Sequence, residues 1–247
     1  MDAKVAGVLT GVSYVSGIDY YKGLNEAYAE LVPKGALMPR NPLMIMVSVD
    51  CDEYAQALVA RQWDKVKMYL ADSVSRLVGA KCDFLCIASN TAHMCVPEVQ
   101  KRFPELPVLH IADCTAQAIK KRGFKRIGLL GTEPTMRENY LKDQIAKHNI
   151  TTIIPDDDVS LNQIFTYIMK ELGVNVFKAE TRAFFVDQIH RLVARGAEGV
   201  ILGCTEIELL VKQEDVPEVP LFNSAELHIA ATAKVQAGIL SLDELTP

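Results

Sequence analysis

Two short stretches of the chain join a strand-like run to a turn rich in small polar side chains. In 86–95, CIASNTAHMC, the turn carries Ser89, Asn90 and Thr91. In 201–210, ILGCTEIELL, it carries Cys204, Thr205 and Glu206. A thiol on one turn and a hydroxyl on its counterpart suit a reaction at one tetrahedral carbon, where one group removes a proton and the other returns one to the opposite face. A thiol fits such a role because its unperturbed pKa of ~8.5 lies near neutrality, within reach of a helix N-terminus that would hold a thiolate. The same helix N-termini would offer unpaired backbone N–H groups to a carboxylate, stabilising the enediolate left when an α-proton departs.

These turns need a scaffold, and the surrounding pattern supplies one. Short apolar runs (KVAGVLTG, LMIMVSVD, DFLCIAS, PVLHI, RIGLLGT, NITTIIPD, GVILGC, VPLFN) alternate with longer amphipathic stretches of helical period. Buried strands alternating with helices predict an α/β fold with parallel sheets covered on both faces. The order also repeats: VAGVLTGVSYVSGIDYY parallels RIGLLGTEPTMRENY as strand, tight turn and a helix carrying Tyr. Gly7 to Ser89 is 89 − 7 = 82 residues, and Gly128 to Cys204 is 204 − 128 = 76. Two similar lobes follow, each an open, mostly parallel sheet flanked by helices: 1–112 with 219–247, and 113–218. Ligands of open α/β sheets bind beyond the carboxyl ends of the strands, so the expected active site is a cleft between the lobes with Ser89 and Cys204 on opposite walls.

Composition narrows the function classes. At 247 residues, with 49% apolar and 23% charged residues, the chain reads as an ordinary globular protein. A net charge of −5 argues against a nucleic-acid groove, and the basic run Lys120, Lys121, Arg122, Lys125, Arg126 reads as a solvated helix end. No secretory leader and no apolar run of membrane-spanning length is visible, so the expected location is cytoplasmic. The six cysteines, at 51, 82, 86, 95, 114 and 204, have no metal-ligand or disulfide spacing and read mostly as small core residues.

The motifs together resemble the aspartate/glutamate racemase family, which also takes in hydantoin racemases, arylmalonate decarboxylases and maleate isomerases. The family pattern C-N-T-x-H stands here as Ser89-Asn90-Thr91-Ala92-His93, and G-C-T-E as Gly203-Cys204-Thr205-Glu206. GVSYVSGIDYYKGLNE is similar to the family's glycine-rich first turn, LLGTEPTM to its L-L-G-T-x-x-T-M, and VSVD also fits. The resemblance covers nearly the whole chain and implies cofactor-independent chemistry, two opposed cysteines as acid and base, a small amino-acid substrate, and a homodimer. Neither a cofactor nor a metal is expected, and neither nucleic acid nor membrane as partner.

Ser89 departs from that pattern, because a serine hydroxyl is a far weaker acid than a thiol. Three explanations fit it: a natural subgroup with a hydroxyl residue and a preference for L-amino acids, an introduced Cys-to-Ser change, or drift to one-base chemistry such as decarboxylation. The resemblance makes Cys204 the base toward the L-enantiomer and Ser89 its weak partner. Asn90, Thr91 and Thr205 are candidate ligands of the substrate carboxylate, as well as helix-capping residues. Ser13, Thr132 and Thr135 are candidates for the substrate's polar ends, and Asp50 either holds the ammonium or caps the following helix. His93 either orients Ser89 or makes a structural hydrogen bond, while Glu206 and His228 read as supporting or packing residues. Many aspartate racemases hold the distal carboxylate with a Tyr and a Lys about four residues apart, and here Met169 and Gly173 stand at those places. Lys170 and Lys178 do not have the matching spacing.

Overall fold

The computed structural model describes residues 4–246. It divides into two compact units, one running to Ile111 and resuming with His228–Thr246, the other spanning Ala112–Leu227.

In the first unit, β1 (Ala6–Thr10) leads into α1 (Tyr14–Leu31), then β2 (Met44–Ser48), α2 (Cys51–Val59), α3 (Trp63–Gly79) and β3 (Phe84–Ile87). A single 3-10 turn at Thr91–Cys95 precedes α4 (Val96–Arg102) and β4 (Val108–Leu109). The sheet order is β2-β1-β3-β4, with every pairing parallel. Strands β1 and β3 are buried along their whole length, as strands covered on both faces must be, which is why they read as continuous apolar runs.

The second unit repeats this plan. Helix α5 (Ile111–Lys121) enters it, followed by β5 (Arg126–Gly131), α6 (Glu133–Arg137), α7 (Asn139–Ala146), β6 (Thr151–Ile153), α8 (Asp158–Lys170) and α9 (Ala179–Ala194). Then come β7 (Val200–Gly203), α10 (Thr205–Leu210), β8 (Leu221–Asn223) and α11 (Ser224–Gln236). Its sheet order is β6-β5-β7-β8, again parallel throughout and the counterpart of the first. A core of Leu130, Ile164, Phe185, Ile189, Val200 and Ile207 fills the space between sheet and helices.

Two features differ from the sequence reading. The return to the first unit falls at 227/228 rather than 218/219, because β8 pairs in register with β7 and so completes the second sheet. The single helix expected after β5 is two short ones. Glu138, with φ −74° and ψ 160°, is extended backbone and interrupts the helical hydrogen bonding between α6 and α7.

Candidate active site

The topological match between the two turns is close. Gly7 on β1 pairs with Leu85 on β3, and Gly128 on β5 pairs with Val200 on β7. Ser89 and Cys204 each lie four residues beyond that partner (89 − 85 = 4 and 204 − 200 = 4). Each therefore leaves the carboxyl end of the corresponding strand in its own sheet, where open α/β sheets present ligand-binding loops.

Backbone packing explains the residues that flank these positions. Gly11, after β1, has φ +92°, and a Cβ there would stand 2.4 Å from the Val49 backbone, so only glycine suits this turn. In the second unit, a Cβ on Gly203 would come within 2.9 Å of both Leu129 Cδ1 and Leu130 O. The glycine of Gly-Cys-Thr-Glu thus lets the turn lie directly against β5.

Around Ser89, the hydrogen bonding is defined by an imidazole. The Ile111 N–H donates to His93 Nε2 at 3.2 Å, which makes Nε2 an acceptor and places the ring proton on Nδ1. Nδ1 then donates to the Ser89 carbonyl at 2.7 Å. Burial, followed by the neighbouring His110 and His228, holds His93 well below the usual imidazole range, so the ring is neutral. Its contact is with the Ser89 backbone, while Ser89 Oγ accepts from the Ala92 N–H at 3.3 Å. The geometry is that of a structural histidine fixing the turn. Asn90 and Thr91 are buried in the same turn, Asn90 at the N-cap position of the 3-10 turn and Thr91 as its first residue.

The N-terminus of α1 holds a second polar group. Ser13 occupies the N-cap position without capping. Among the described residues, Ser13 Oγ and Thr10 Oγ1 are buried oxygens with no hydrogen-bond partner in the fold. Leaving such a group unmet costs ~1–3 kcal/mol, which marks this end of the sheet as receptive to a polar ligand. Thr10 was not singled out from sequence; its place at the last position of β1, three residues before Ser13, is the signal that could have found it. Asp50 takes the capping geometry: its Oδ1 accepts from the Asp52 and Glu53 N–H groups at the start of α2.

Around Cys204, the neighbours are acidic. Cys204 Sγ donates to Glu206 Oε2 at 3.0 Å, and Thr205 Oγ1 donates to the same oxygen at 2.7 Å. All three residues are buried. The expectation of a thiolate held by a helix N-terminus is overturned here. Helix α10 has only six residues, and burial, then the Glu206 carboxylate, pushes the thiol well above its ordinary pKa. Glu206 therefore contacts the sulfur directly. Glu208 faces elsewhere, accepting from Ser224 Oγ and the Ala225 N–H, each at 3.2 Å, and so caps α11.

The other candidates of this unit are tied into local structure. Thr132 caps α6, and its hydroxyl lies 2.9 Å from Thr135 Oγ1. Thr135 is fully buried and also reaches Tyr140 OH at 3.1 Å. Lys178 pairs with Glu171 at 2.8 Å.

A buried polar cluster not foreseen from sequence lies in each unit. His228 Nε2 donates to the Leu109 carbonyl at 2.9 Å, and its Nδ1 accepts from Tyr20 OH at 2.8 Å, joining α11, β4 and α1. In the second unit, His148 Nε2 lies 2.7 Å from Asp113 Oδ1, and Gln144 donates to both Asp113 oxygens. Their sequence separations gave no local pattern to read. Burial pushes the Cys86 and Cys95 thiols each up to about 12, and no two cysteines are bridged among the described residues.

The two α/β units thus share one topology, and each ends a strand on a turn that carries a small hydroxyl or thiol side chain. The Asp/Glu/hydantoin racemase family model matches residues 9–232, and the chain belongs to that family. The structure is similar to that of an Asp/Glu racemase candidate from Yersinia pestis, at 32% identity and a TM-score of 0.83, covering 94% of this chain and 99% of that one. It is also similar to an aspartate racemase homologue from Pyrococcus horikoshii OT3, at 29% identity and a TM-score of 0.76, covering 95% and 99%. Among characterised sequences, the broad specificity amino-acid racemase RacX of Bacillus subtilis (strain 168) is 25% identical over 74% of this chain and 77% of its own. No helix among the described residues is long and apolar enough to cross a membrane.

Proposed function

We propose that this protein racemises an acidic amino acid, aspartate or glutamate, without a cofactor, and that it favours the L-enantiomer. The observation that carries this reading is the topological equivalence of Ser89 and Cys204, combined with their unequal surroundings. Cys204 has a carboxylate partner at its sulfur, whereas Ser89 has a backbone donor at its hydroxyl and a histidine at its carbonyl. The reaction requires both turns to reach one substrate. Cys204 then takes the α-proton of the L-form, and Ser89 supplies a proton to the opposite face more slowly, because a hydroxyl is a weaker acid than a thiol. A natural subgroup of the family with a hydroxyl residue in place of the first cysteine accounts for Ser89 in this reading.

The remaining site residues serve the substrate's polar ends. Asn90, Thr91 and the backbone N–H of Thr205, whose hydroxyl donates to Glu206, receive the α-carboxylate, where hydrogen bonds that strengthen as the enediolate forms lower the barrier. Ser13, with Thr10 three residues before it, offers its unmet hydroxyl to a second polar end of the substrate, and Thr132 and Thr135 shape the corresponding turn of the second unit. The enzyme works in the cytoplasm as a homodimer in this reading.

Chiral chromatography of L-aspartate and L-glutamate incubations tests it. The native enzyme accumulates D-product and Cys204→Ala does not; equal D-product from both would sink the assignment. One observation favours a second reading. Since Ser89 Oγ meets a backbone N–H rather than a base, Cys204 alone could protonate the carbanion left when a disubstituted malonate loses CO₂. That arylmalonate-type decarboxylase would release CO₂ from malonates and leave amino acids untouched.

A further inference from the structure

The contact at Cys204 raises a question of proton accounting. Sulfur can accept a substrate proton only after giving up its own, yet burial and an adjacent carboxylate both oppose a resting thiolate. The geometry offers a route around this. One carboxylate oxygen, Glu206 Oε2, receives both the Cys204 thiol at 3.0 Å and the Thr205 hydroxyl at 2.7 Å, and Glu206 is only 5% exposed. The other buried acid of the same helix, Glu208, is engaged at the start of α11 and belongs to the scaffold.

We propose that Glu206 is the proton acceptor behind Cys204, so that the base of the second unit is a thiol–carboxylate relay rather than a preformed thiolate. The inference rests on the racemase reading and deepens it. In the forward step the substrate Cα–H bond breaks and its electron pair passes into the enediolate. The proton forms a new S–H bond on Cys204, while the original S–H bond breaks, returns its electron pair to sulfur and delivers its proton to Glu206 Oε2. One proton has moved from carbon to carboxylate and no redox change occurs. Running the steps backwards returns a proton to carbon. Thr205 keeps the Glu206 oxygen in line by donating to it, which gives the second polar residue of Gly-Cys-Thr-Glu a role in holding the relay.

Glu206→Gln preserves shape but cannot take a proton, so α-proton exchange of the L-substrate in D₂O should fall roughly 10²-fold, the low end for a positioned acid–base group. Glu206→Asp keeps a carboxylate but loses a methylene. The relay ranks its exchange above that of Glu206→Gln, whereas a purely packing role ranks the isosteric Gln above Asp. Native-rate exchange in Glu206→Gln or a Gln-above-Asp order would each overturn the relay while leaving the racemase reading in place. Absence of exchange in the native enzyme with L- or D-aspartate and L- or D-glutamate would overturn that reading and the relay with it.

Discussion

The turn after β3 and the turn after β7 occupy the same topological position, yet they stabilise their central residues in different ways. The first is built around a neutral imidazole: His93 bridges the Ser89 carbonyl and the Ile111 N–H, with the His110 ring 4.5 Å from its own. The second is built around carboxylates: Glu206 on the Cys204 thiol and Glu208 on the start of α11. Repetition of a fold therefore fixes where a reactive residue sits without fixing its chemistry. The neighbours within one or two residues of that point set the proton affinity, and in the proposed reading they leave an acid–base partner on one turn alone.

The largest effect should come from removing that partner's sulfur. Cys204→Ala should lower α-proton exchange by roughly 10²–10⁴-fold, the range for a positioned acid–base group, without unfolding the chain, as followed by NMR in D₂O and by thermal melting. A smaller loss would mean that the second turn is not the base. Equalising the two turns is the converse experiment. Ser89→Cys should raise racemisation on the order of 10²-fold and admit the D-enantiomer, read by chiral chromatography from both directions. Unchanged preference for the L-form would show that the hydroxyl is not what makes the turns unequal.

Acid should separate the units by stability. His228 is fully buried, and desolvation brings it down from 6.5 to about 4, with His93 also lowered. The unfolded chain thus takes up protons at these sites before the folded one does. Their stabilisation is complete above pH 6.5, declines as pH falls through the interval toward 4, and reaches a loss of roughly 3 kcal/mol for His228 below it. Urea titrations between pH 7 and pH 4 should show the first unit weakening along that slope, and His228→Gln should flatten it. A flat native profile would contradict the neutral-histidine account. The smallest effect concerns the second unit alone: Thr132→Ala removes the cap of α6 and should cost ~1 kcal/mol in the same titration. No change there would mean the short helix is held by Thr135 and Tyr140 without its cap.

Much of the frame was legible because it depends on local order. Continuous apolar runs announced β1, β3, β5 and β7, and the repeated strand–turn–helix order gave Ser89 and Cys204 equivalent places in the two sheets before any register was known. What sequence missed depends on directions that periodicity does not carry. Glu206 lies two residues from Cys204, a spacing that does not suggest contact on a regular helix, but Cys204 is in extended backbone and the helix starts only at Thr205. His93 was readable as a neighbour of Ser89, but which atom it meets is decided by the Ile111 N–H, 18 residues away. The late return at 228 follows from β8 pairing with β7, a tertiary choice that a three-residue strand barely signals.

The account turns on one measurement, the rate at which each enantiomer of aspartate and glutamate exchanges its α-proton in D₂O with the native enzyme. Unequal turns predict that an L-form exchanges well ahead of its D-form, with D-product appearing more slowly than deuterium enters the L-pool. Equal exchange from the two enantiomers would put a base of matching strength at Ser89, and would contradict the division of labour proposed for the two turns.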